Sequence, residues 1–146
     1  MDVREVSPPD TGWAFLAMQS LRTHLSDEAE FVRLVDEVQR PEGYRLVGAF
    51  DQEEPPAAAV AGFRVGHNLA WGHFLYVDDL ATRPQFRRRG LGTALLVWLA
   101  REAATLGCEQ LHLDSGVGIE RADAHRLYMS SGLVISAHHF AKRLRG

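Results

Sequence analysis

A basic, glycine-containing segment at the centre of the sequence, RRRGLGT at residues 87–93, constrains the fold more than any other feature. It separates an apolar stretch that predicts a strand, residues 69–82, from residues 90–106, whose leucines recur at helical spacing. A helix start presents unpaired backbone N–H groups and the positive end of the helix dipole. Glycines let a phosphate approach that backbone closely. The segment therefore predicts an anion-binding junction between a strand and a helix.

The hydrophobic pattern on either side of this junction predicts a single α+β domain over residues 1–146. The elements follow the order β-α-α-β-β-β-α-β-α-β around one mixed sheet, with helices on both faces. The three consecutive strands form an antiparallel meander, and Gly72 in the third of them predicts a bulge. The predicted strands are residues 3–6, 44–50, 57–65, 69–82, 108–113 and 133–144, and the predicted helices are residues 13–25, 26–40, 90–106 and 121–131.

Composition and cysteine content narrow the class of protein. The chain has 146 residues, of which 46% are hydrophobic, and this suits one globular domain. Its single cysteine, Cys108, excludes an internal disulfide and disfavours a structural zinc site, so no metal is predicted. No apolar run approaches the ~20 residues of a bilayer span, and the first residues do not resemble a secretory signal. We therefore predict a cytoplasmic protein without a membrane partner.

Charge is divided unevenly along the chain. The formal net charge of −3 combines a net −6 over residues 1–73 with a net +3 over residues 74–146. A nucleic-acid binder needs a broad basic face with interleaved exposed aromatic residues, and the sequence lacks both. A compact arginine cluster in an acidic protein favours a local anion site instead, so no nucleic-acid partner is predicted.

The spacing of the glycines bears on which anion binds. A Walker A loop is absent, and the position that would hold the third glycine of a dinucleotide-binding fingerprint is Leu95. Arg87, Gly90 and Gly92 instead match the pattern Arg/Gln-x-x-Gly-x-Gly/Ala, and AHRLYMSSGL at residues 124–133 matches Ala-x-x-hydrophobic-Tyr-x-x-x-Gly-Phe. On these motifs and on the order of its elements, the sequence resembles the GNAT-type N-acetyltransferase family over nearly its whole length.

The resemblance implies a GNAT-like fold and acetyl-CoA as cosubstrate. On this interpretation the arginine loop and helix start bind the pyrophosphate. The free edge of the preceding strand pairs with the pantetheine arm and donates an N–H to the thioester oxygen. The sequence departs from the family pattern at Thr82 for the usual Val, at Arg121 for an Asn and at Leu133 for an aromatic residue. The predicted cofactor-binding residues are Leu80, Ala81, Thr82, Arg87, Arg88, Arg89, Gly90, Leu91, Gly92 and Thr93.

Tyr128 is the candidate general acid, which would protonate the departing thiolate, because it occupies the tyrosine position of the second motif. The alternative is a core tyrosine. Ala124, Leu127, Tyr128 and Ser131 form one helical stripe, so Tyr128 faces inward on either interpretation.

Two adjacent aspartates, Asp78 and Asp79, precede Leu80 in an otherwise apolar strand, where alternation predicts opposite faces. Either is a candidate for the base that takes the amine proton, directly or through water, or for binding a cationic substrate. Asp78 is favoured because it shares a face with Leu80. Structural acids held in salt bridges are the alternative. Asp114 and His73 are weaker candidates.

The predicted function is transfer of an acetyl group from acetyl-CoA to a primary amine by direct attack. The acceptor is a small-molecule or peptide amine. The resemblance implies that the acidic first half of the chain borders the acceptor cleft, and this favours a cationic acceptor. The sequence is compatible with a homodimer and does not determine the oligomeric state. The alternative is a non-catalytic acyl-CoA-binding regulatory module on the same fold.

Overall fold

A five-stranded mixed sheet organises the first part of the chain in the computed structural model, which describes all 146 residues. The strands lie side by side in sequence order; the first four pair antiparallel, and the fifth is parallel to the fourth. This confirms the predicted α+β class. The strands are β1 (Asp2–Val6), β2 (Arg45–Phe50), β3 (Ala59–Asn68), β4 (Gly72–Thr82) and β5 (Gln110–Leu113), and the helices are α1 (Phe15–Leu21), α2 (Glu28–Arg33), α3 (Leu91–Thr105) and α4 (Ala122–Ser130).

The chain forms two compact units, Met1–Leu113 and Asp114–Gly146. The first unit contains the sheet with α1, α2 and α3, and the second contains α4. The single domain expected over residues 1–146 stays a prediction. None of the helices combines the length and the apolar composition that a bilayer crossing requires.

One face of the sheet packs against α1 and α2. Phe15 of α1 and Phe31 of α2 bring the two helices together, with ring centroids 5.7 Å apart. Leu46 and Phe50 enter the same core from β2, separated by an even number of residues as the period of a strand requires. Ala81 joins this core as well, so the last residues of β4 are anchored against α1.

Helix α3 packs on the other face. It buries Leu91, Leu95 and Leu99 at helical spacing. Its Trp98 ring meets Phe63 of β3 edge-on, at a centroid distance of 5.8 Å. The end of β4 and helix α3 are therefore each packed into a core. The loop that connects them begins and ends on rigid elements.

A partly buried polar network fixes the chain after α2. Helix α2 continues without a break into a π-helical turn and a 3-10 turn, Leu34–Gln39 and Arg40–Glu42. Arg40 donates from Nε to Asp36 (2.7 Å) and from Nη2 to the Val6 carbonyl and the Thr11 hydroxyl (3.0 Å each). The fully buried Thr11 hydroxyl donates to Asp36 in turn. Because each member has a partner, the network holds the turn before β2 in one place.

Several predicted boundaries differ from the structure for local reasons. The first helix is shorter than residues 13–25 because Arg22 leaves the helical region, with φ −98° and ψ 76°. The fifth strand begins at Gln110 because the Cys108 N–H still bonds a carbonyl of α3. Gly72, where a bulge was predicted, instead begins β4 after a turn, with φ of 73° and Asn68 opposite.

The predicted last strand, residues 133–144, is wrong. No residue beyond Leu113 takes part in a strand ladder, and α4 is the last regular element. Val134, Ile135 and Phe140 are strongly exposed. Apolar alternation favours an extended backbone, but a strand also needs a hydrogen-bonding partner, and the pattern does not supply one.

Candidate active site

The fourth strand has a free edge over its last residues. Its parallel pairing with β5 ends where Val77 lies opposite Leu113. Residues 79–82 pair with β3 alone, and Asp78 pairs with neither neighbouring strand. An unpaired edge offers backbone N–H and C=O groups to an extended ligand. Three of the predicted cofactor positions, Leu80, Ala81 and Thr82, lie in this segment.

A β-bulge marks the start of the free edge. Gly62 of β3 lies opposite Asp79, whereas Phe63 lies opposite Val77, so Asp78 is the extra residue. The bulge breaks the alternation of side chains along β4. Both aspartates therefore line the same cavity, and the prediction that they point to opposite faces is wrong.

The cavity beside the bulge has a volume of about 350 Å³. The end of α1, the turns after α2 and the strands β3 and β4 contribute its walls. The lining is polar and mixed in charge, with three carboxylates and two guanidinium groups. The lining residues are Arg22, Gln39, Glu42, Tyr44, Arg64, Asp78 and Asp79.

Asp79 is held on both carboxylate oxygens. Arg22 donates to Oδ1 at 2.8 Å, and the Tyr44 hydroxyl donates to Oδ2 at 2.7 Å. Tyr44 is 3% exposed, and burial together with the nearby Asp79 charge raises the pKa of its phenol well above the usual value. The phenol therefore stays protonated and remains a donor to Asp79.

Asp78 is held by a bidentate ion pair. Arg64 donates from Nε to Oδ2 at 2.7 Å and from Nη2 to Oδ1 at 2.8 Å. The Asp78 carbonyl, freed by the bulge, accepts from Arg22 Nη2 at 2.9 Å. The hydrogen bond with Asp78 is the main cause that raises the pKa of Arg64, and Glu42 contributes to the same shift. Of the two aspartate side chains, Asp78 is the more accessible, at 24% exposed against 12%.

Gly62 makes the contact between Tyr44 and Asp79 possible, and this gives a test of the cavity wall. A Cβ at Gly62 would lie 1.7 Å from the Tyr44 hydroxyl oxygen, and that ring is buried. We expect Gly62→Ala to lower the free energy of unfolding by about 1–3 kcal/mol, as overpacking does, and to displace the phenol from Asp79. Chemical denaturation measures the effect.

The matched control for this substitution is Gly116→Ala, because a Cβ there meets only Arg121 Cγ at an ordinary 3.6 Å. We expect its unfolding midpoint to equal that of the parent. Equal stability of the Gly62→Ala protein and the parent would show that Tyr44 does not occupy this space.

The arginine loop ends in an uncapped helix start. Gly90 is the N-cap of α3 in the left-handed region, with φ of 78°, and no side chain caps the helix. Arg88 also has a positive φ, of 63°. The backbone N–H groups of residues 89–93 have no acceptor, and the first helical bond is from Ala94 to the Gly90 carbonyl. Arg83 and Arg89 stack on the Phe86 ring, at 5.1 and 5.2 Å. The geometry suits a phosphate-type anion.

The second unit holds Tyr128, which is buried in α4. Its hydroxyl lies 3.5 Å from Arg121 Nη2, and Arg121 Nε lies 3.4 Å from the Ser115 hydroxyl. Burial raises the pKa of Tyr128, and the Arg121 charge opposes that shift. Arg121, which departs from the family pattern, is thus a neighbour of the candidate acid within its own unit.

The two weaker candidates for the base, His73 and Asp114, contact residues outside the cavity. The His73 ring stacks on His67 across the hairpin of β3 and β4, with centroids 4.2 Å apart. Asp114 pairs with His139 at 2.9 Å. Neither lines the cavity.

Sequence reasoning missed most of the cavity wall. Arg64 had a usable signal, because it is a charged residue within the apolar run of β3 and lies on a strand next to β4. Arg22 and Tyr44 had none, since their contacts with Asp79 span 57 and 35 residues along the chain.

Comparison with protein families and curated proteins places the chain among acetyltransferases. Residues 12–133 match the acetyltransferase (GNAT) family. The aminoalkylphosphonate N-acetyltransferase of Salmonella typhimurium is 35% identical over 68 residues, which are 47% of this chain and 43% of that protein. The thialysine N-epsilon-acetyltransferase of Bos taurus is 24% identical over 125 residues, 76% of this chain and 72% of that protein. The match therefore spans less than half of the Salmonella protein.

Solved structures share the fold at low identity. The aminoglycoside N-acetyltransferase AAC(6')-Iy in complex with CoA has a TM-score of 0.79 and 16% identity, over 99% of this chain and 95% of that one. A transcriptional regulator from Bacillus halodurans C-125 has a TM-score of 0.81 and 20% identity, over 98% and 99% of the two chains. Likeness at these identities shows the fold alone.

Proposed function

The chain belongs to the acetyltransferase (GNAT) family, and from that premise we propose that it transfers an acetyl group from acetyl-CoA to a primary amine. One observation carries the proposal. The free edge of β4 begins at a polar cavity and leads, through the arginine loop, to the uncapped start of α3. The polar cavity and the uncapped helix start therefore adjoin the two ends of one short strand edge, and in this proposal they serve as the amine site and the anion site that direct transfer from a CoA thioester requires.

The pyrophosphate of CoA fits the start of α3. Its charge complements the free N–H groups of residues 89–93 and the positive end of the helix dipole. Arg87, Arg88 and Arg89 are exposed beside them and supply bidentate donors. In this proposal Gly90, Leu91, Gly92 and Thr93 contribute backbone contacts.

The pantetheine arm fits the free edge of β4. Its amide groups can pair with the backbone of Leu80, Ala81 and Thr82 as an added strand. An N–H of the same edge then donates to the thioester oxygen as negative charge develops there.

The chemistry is an addition followed by an elimination. The neutral amine nitrogen attacks the thioester carbonyl carbon, the C–S bond breaks, and the departing thiolate takes a proton. We propose Tyr128 as the donor of that proton. Its raised pKa keeps the phenol protonated near neutral pH, and the positive charge of Arg121 favours release of the proton. The assignment rests on the motif at residues 124–133.

The amine must lose a proton, and Asp78 is the proposed acceptor because its side chain is the more accessible of the two aspartates. Carboxylate oxygens have lone pairs beyond those that Arg64 uses. We expect Asp78→Asn to reduce kcat/KM by about tenfold at acidic pH and less at alkaline pH, where the amine is already neutral. The pH profile of kcat/KM measures this.

Asp79→Asn is the matched variant for this prediction, and we expect it to act mainly on stability because Asp79 ties Arg22 to the buried Tyr44. An Asp78→Asn enzyme with the parent's rate and pH profile would contradict the assignment. The amine would then arrive neutral, and both aspartates would serve structure or substrate binding.

An amine panel tests the proposed function. Each amine is incubated with the protein and acetyl-CoA, and the free CoA thiol is measured. We expect thiol release that depends on the amine. Tight CoA binding without amine-dependent release from any member of the panel would favour the non-catalytic acyl-CoA-binding module.

A further inference from the structure

The cavity lining contains one more carboxylate than guanidinium groups. Asp78 is neutralised by Arg64 and Asp79 by Arg22, at distances of 2.7 and 2.8 Å. One carboxylate, that of Glu42, has neither a hydrogen bond nor an ion pair, and its charge is felt at Arg64. The cavity therefore carries a net negative charge that is located at Glu42.

The fold anchors the backbone turn that carries Glu42, and the Glu42 side chain is exposed. Glu42 ends the 3-10 turn Arg40–Glu42, whose first residue is fixed by the partly buried network with Asp36 and Thr11. Gln39, whose side-chain amide also has no partner, lies three residues earlier and lines the same cavity. The free carboxylate and the free amide thus belong to one anchored turn, on a different element from the aspartates of β4.

The protonation state of the acceptor's nitrogen atoms determines which of them such a carboxylate can usefully bind. The attacking nitrogen must be neutral, and a carboxylate that binds it as ammonium stabilises the unreactive form. A free negative charge is therefore useful to a second nitrogen of the acceptor, one that keeps its proton. An anionic acceptor is disfavoured, because both guanidinium groups are already engaged by aspartates.

We propose that the acceptor is a small diamine-type cation, whose second ammonium group is held by Glu42 with the amide of Gln39 while its other amine reacts at the end of β4. This inference rests on the proposed acetyl transfer and specifies its acceptor. It names Glu42 as a specificity-determining residue in contact with substrate.

Three amines with the same four-carbon chain test the charge requirement. Putrescine carries a second ammonium group, butylamine carries none, and γ-aminobutyrate carries a carboxylate. With the full-length protein we expect kcat/KM for putrescine to exceed that for butylamine about fivefold, the size of one solvent-exposed ion pair, and γ-aminobutyrate to be the poorest acceptor. Equal use of the three amines, or a preference for γ-aminobutyrate, would overturn the proposal.

Substitution of Glu42 tests whether this residue causes the preference for a second ammonium group. We expect Glu42→Gln to raise KM for putrescine about fivefold with little change in kcat, and to leave butylamine unaffected. Glu42→Lys should have a larger effect in the same direction. The matched control is Glu54→Gln, an exposed carboxylate that does not line the cavity. An unchanged KM for putrescine in Glu42→Gln would overturn the proposal.

Calorimetric binding of putrescine to the same proteins separates the two hypotheses. Binding that weakens in Glu42→Gln but not in Glu54→Gln, without acetylation of any amine, would support the diamine site and contradict the proposed transfer reaction. Acetylation of amines together with putrescine binding that does not depend on Glu42 would leave the transfer reaction in place and overturn the diamine site.

Discussion

Replacement of Gly92 by glutamate is expected to abolish measurable CoA binding while the protein remains folded. Gly92 lies in the first turn of α3, where the N–H groups of residues 89–93 have no acceptor. A glutamate at this position can accept from those groups and places a negative charge where the pyrophosphate would bind. Acidic residues in the first turn stabilise a helix, so the fold should tolerate the change. Equilibrium binding of CoA measures the loss.

Ala100→Glu is the matched control, because it adds the same charge to an exposed position farther along α3. We expect this variant to bind CoA as the parent does, and both variants to unfold near the parent's midpoint. Unchanged CoA affinity in Gly92→Glu would place the cofactor site elsewhere on the protein.

The second large effect is expected from Tyr128→Phe, which removes the proposed proton donor and keeps the ring. We expect kcat to fall about 100-fold, the usual contribution of a general acid, with CoA affinity nearly unchanged. The buried ring keeps its packing within α4, so stability should change little. Steady-state kinetics and CoA binding on the same preparation measure both quantities.

Leaving groups distinguish this role from a structural one. If Tyr128 protonates the thiolate, the defect should shrink with an acyl donor whose thiol is more acidic, because a better leaving group needs less help. A core tyrosine would give the same defect with every donor. An unaltered rate, with chemistry shown to limit turnover, would contradict the assignment.

The strand-to-helix junction was predictable from the sequence because its signals are local. The glycines and arginines of residues 87–93 are adjacent. The apolar residues before them follow the pattern of a strand, and those after them recur at the spacing of a helix. The structure has β4 and α3 on either side of that segment, as predicted. The free edge of β4 was expected from the resemblance to the GNAT family, and the structure has it because the four-residue β5 leaves the end of the eleven-residue β4 unpaired on that side.

The cavity was not predictable to the same degree. Adjacent residues of a strand point to opposite faces unless a bulge intervenes, and the bulge at Asp78 follows from the pairing of β4 with Gly62 and Phe63 of β3 rather than from any local signal. The partners of the aspartates come from α1, β3 and the residue before β2. Such contacts depend on how the elements pack, and spacing along the chain does not encode them.

The last strand shows the opposite error. Residues 133–144 have the apolar alternation of a strand, yet none of them pairs with a strand, so a local pattern predicted an element that has no ladder partner. Arg121 lay outside the prediction in another way: as a departure from the family pattern it carried no expected contact, and its position 3.5 Å from the Tyr128 hydroxyl emerges only from the fold of α4 and the turn before it.

Acetyl transfer itself is tested most directly by measuring product and thiol together. The protein is incubated with acetyl-CoA and its best amine acceptor, and the N-acetylated amine, by mass spectrometry, is compared with the CoA thiol released. We predict equal amounts of the two products, both dependent on the amine and both lost in Gly92→Glu. Thiol release without N-acetylated amine, or CoA binding without either product, would contradict the account.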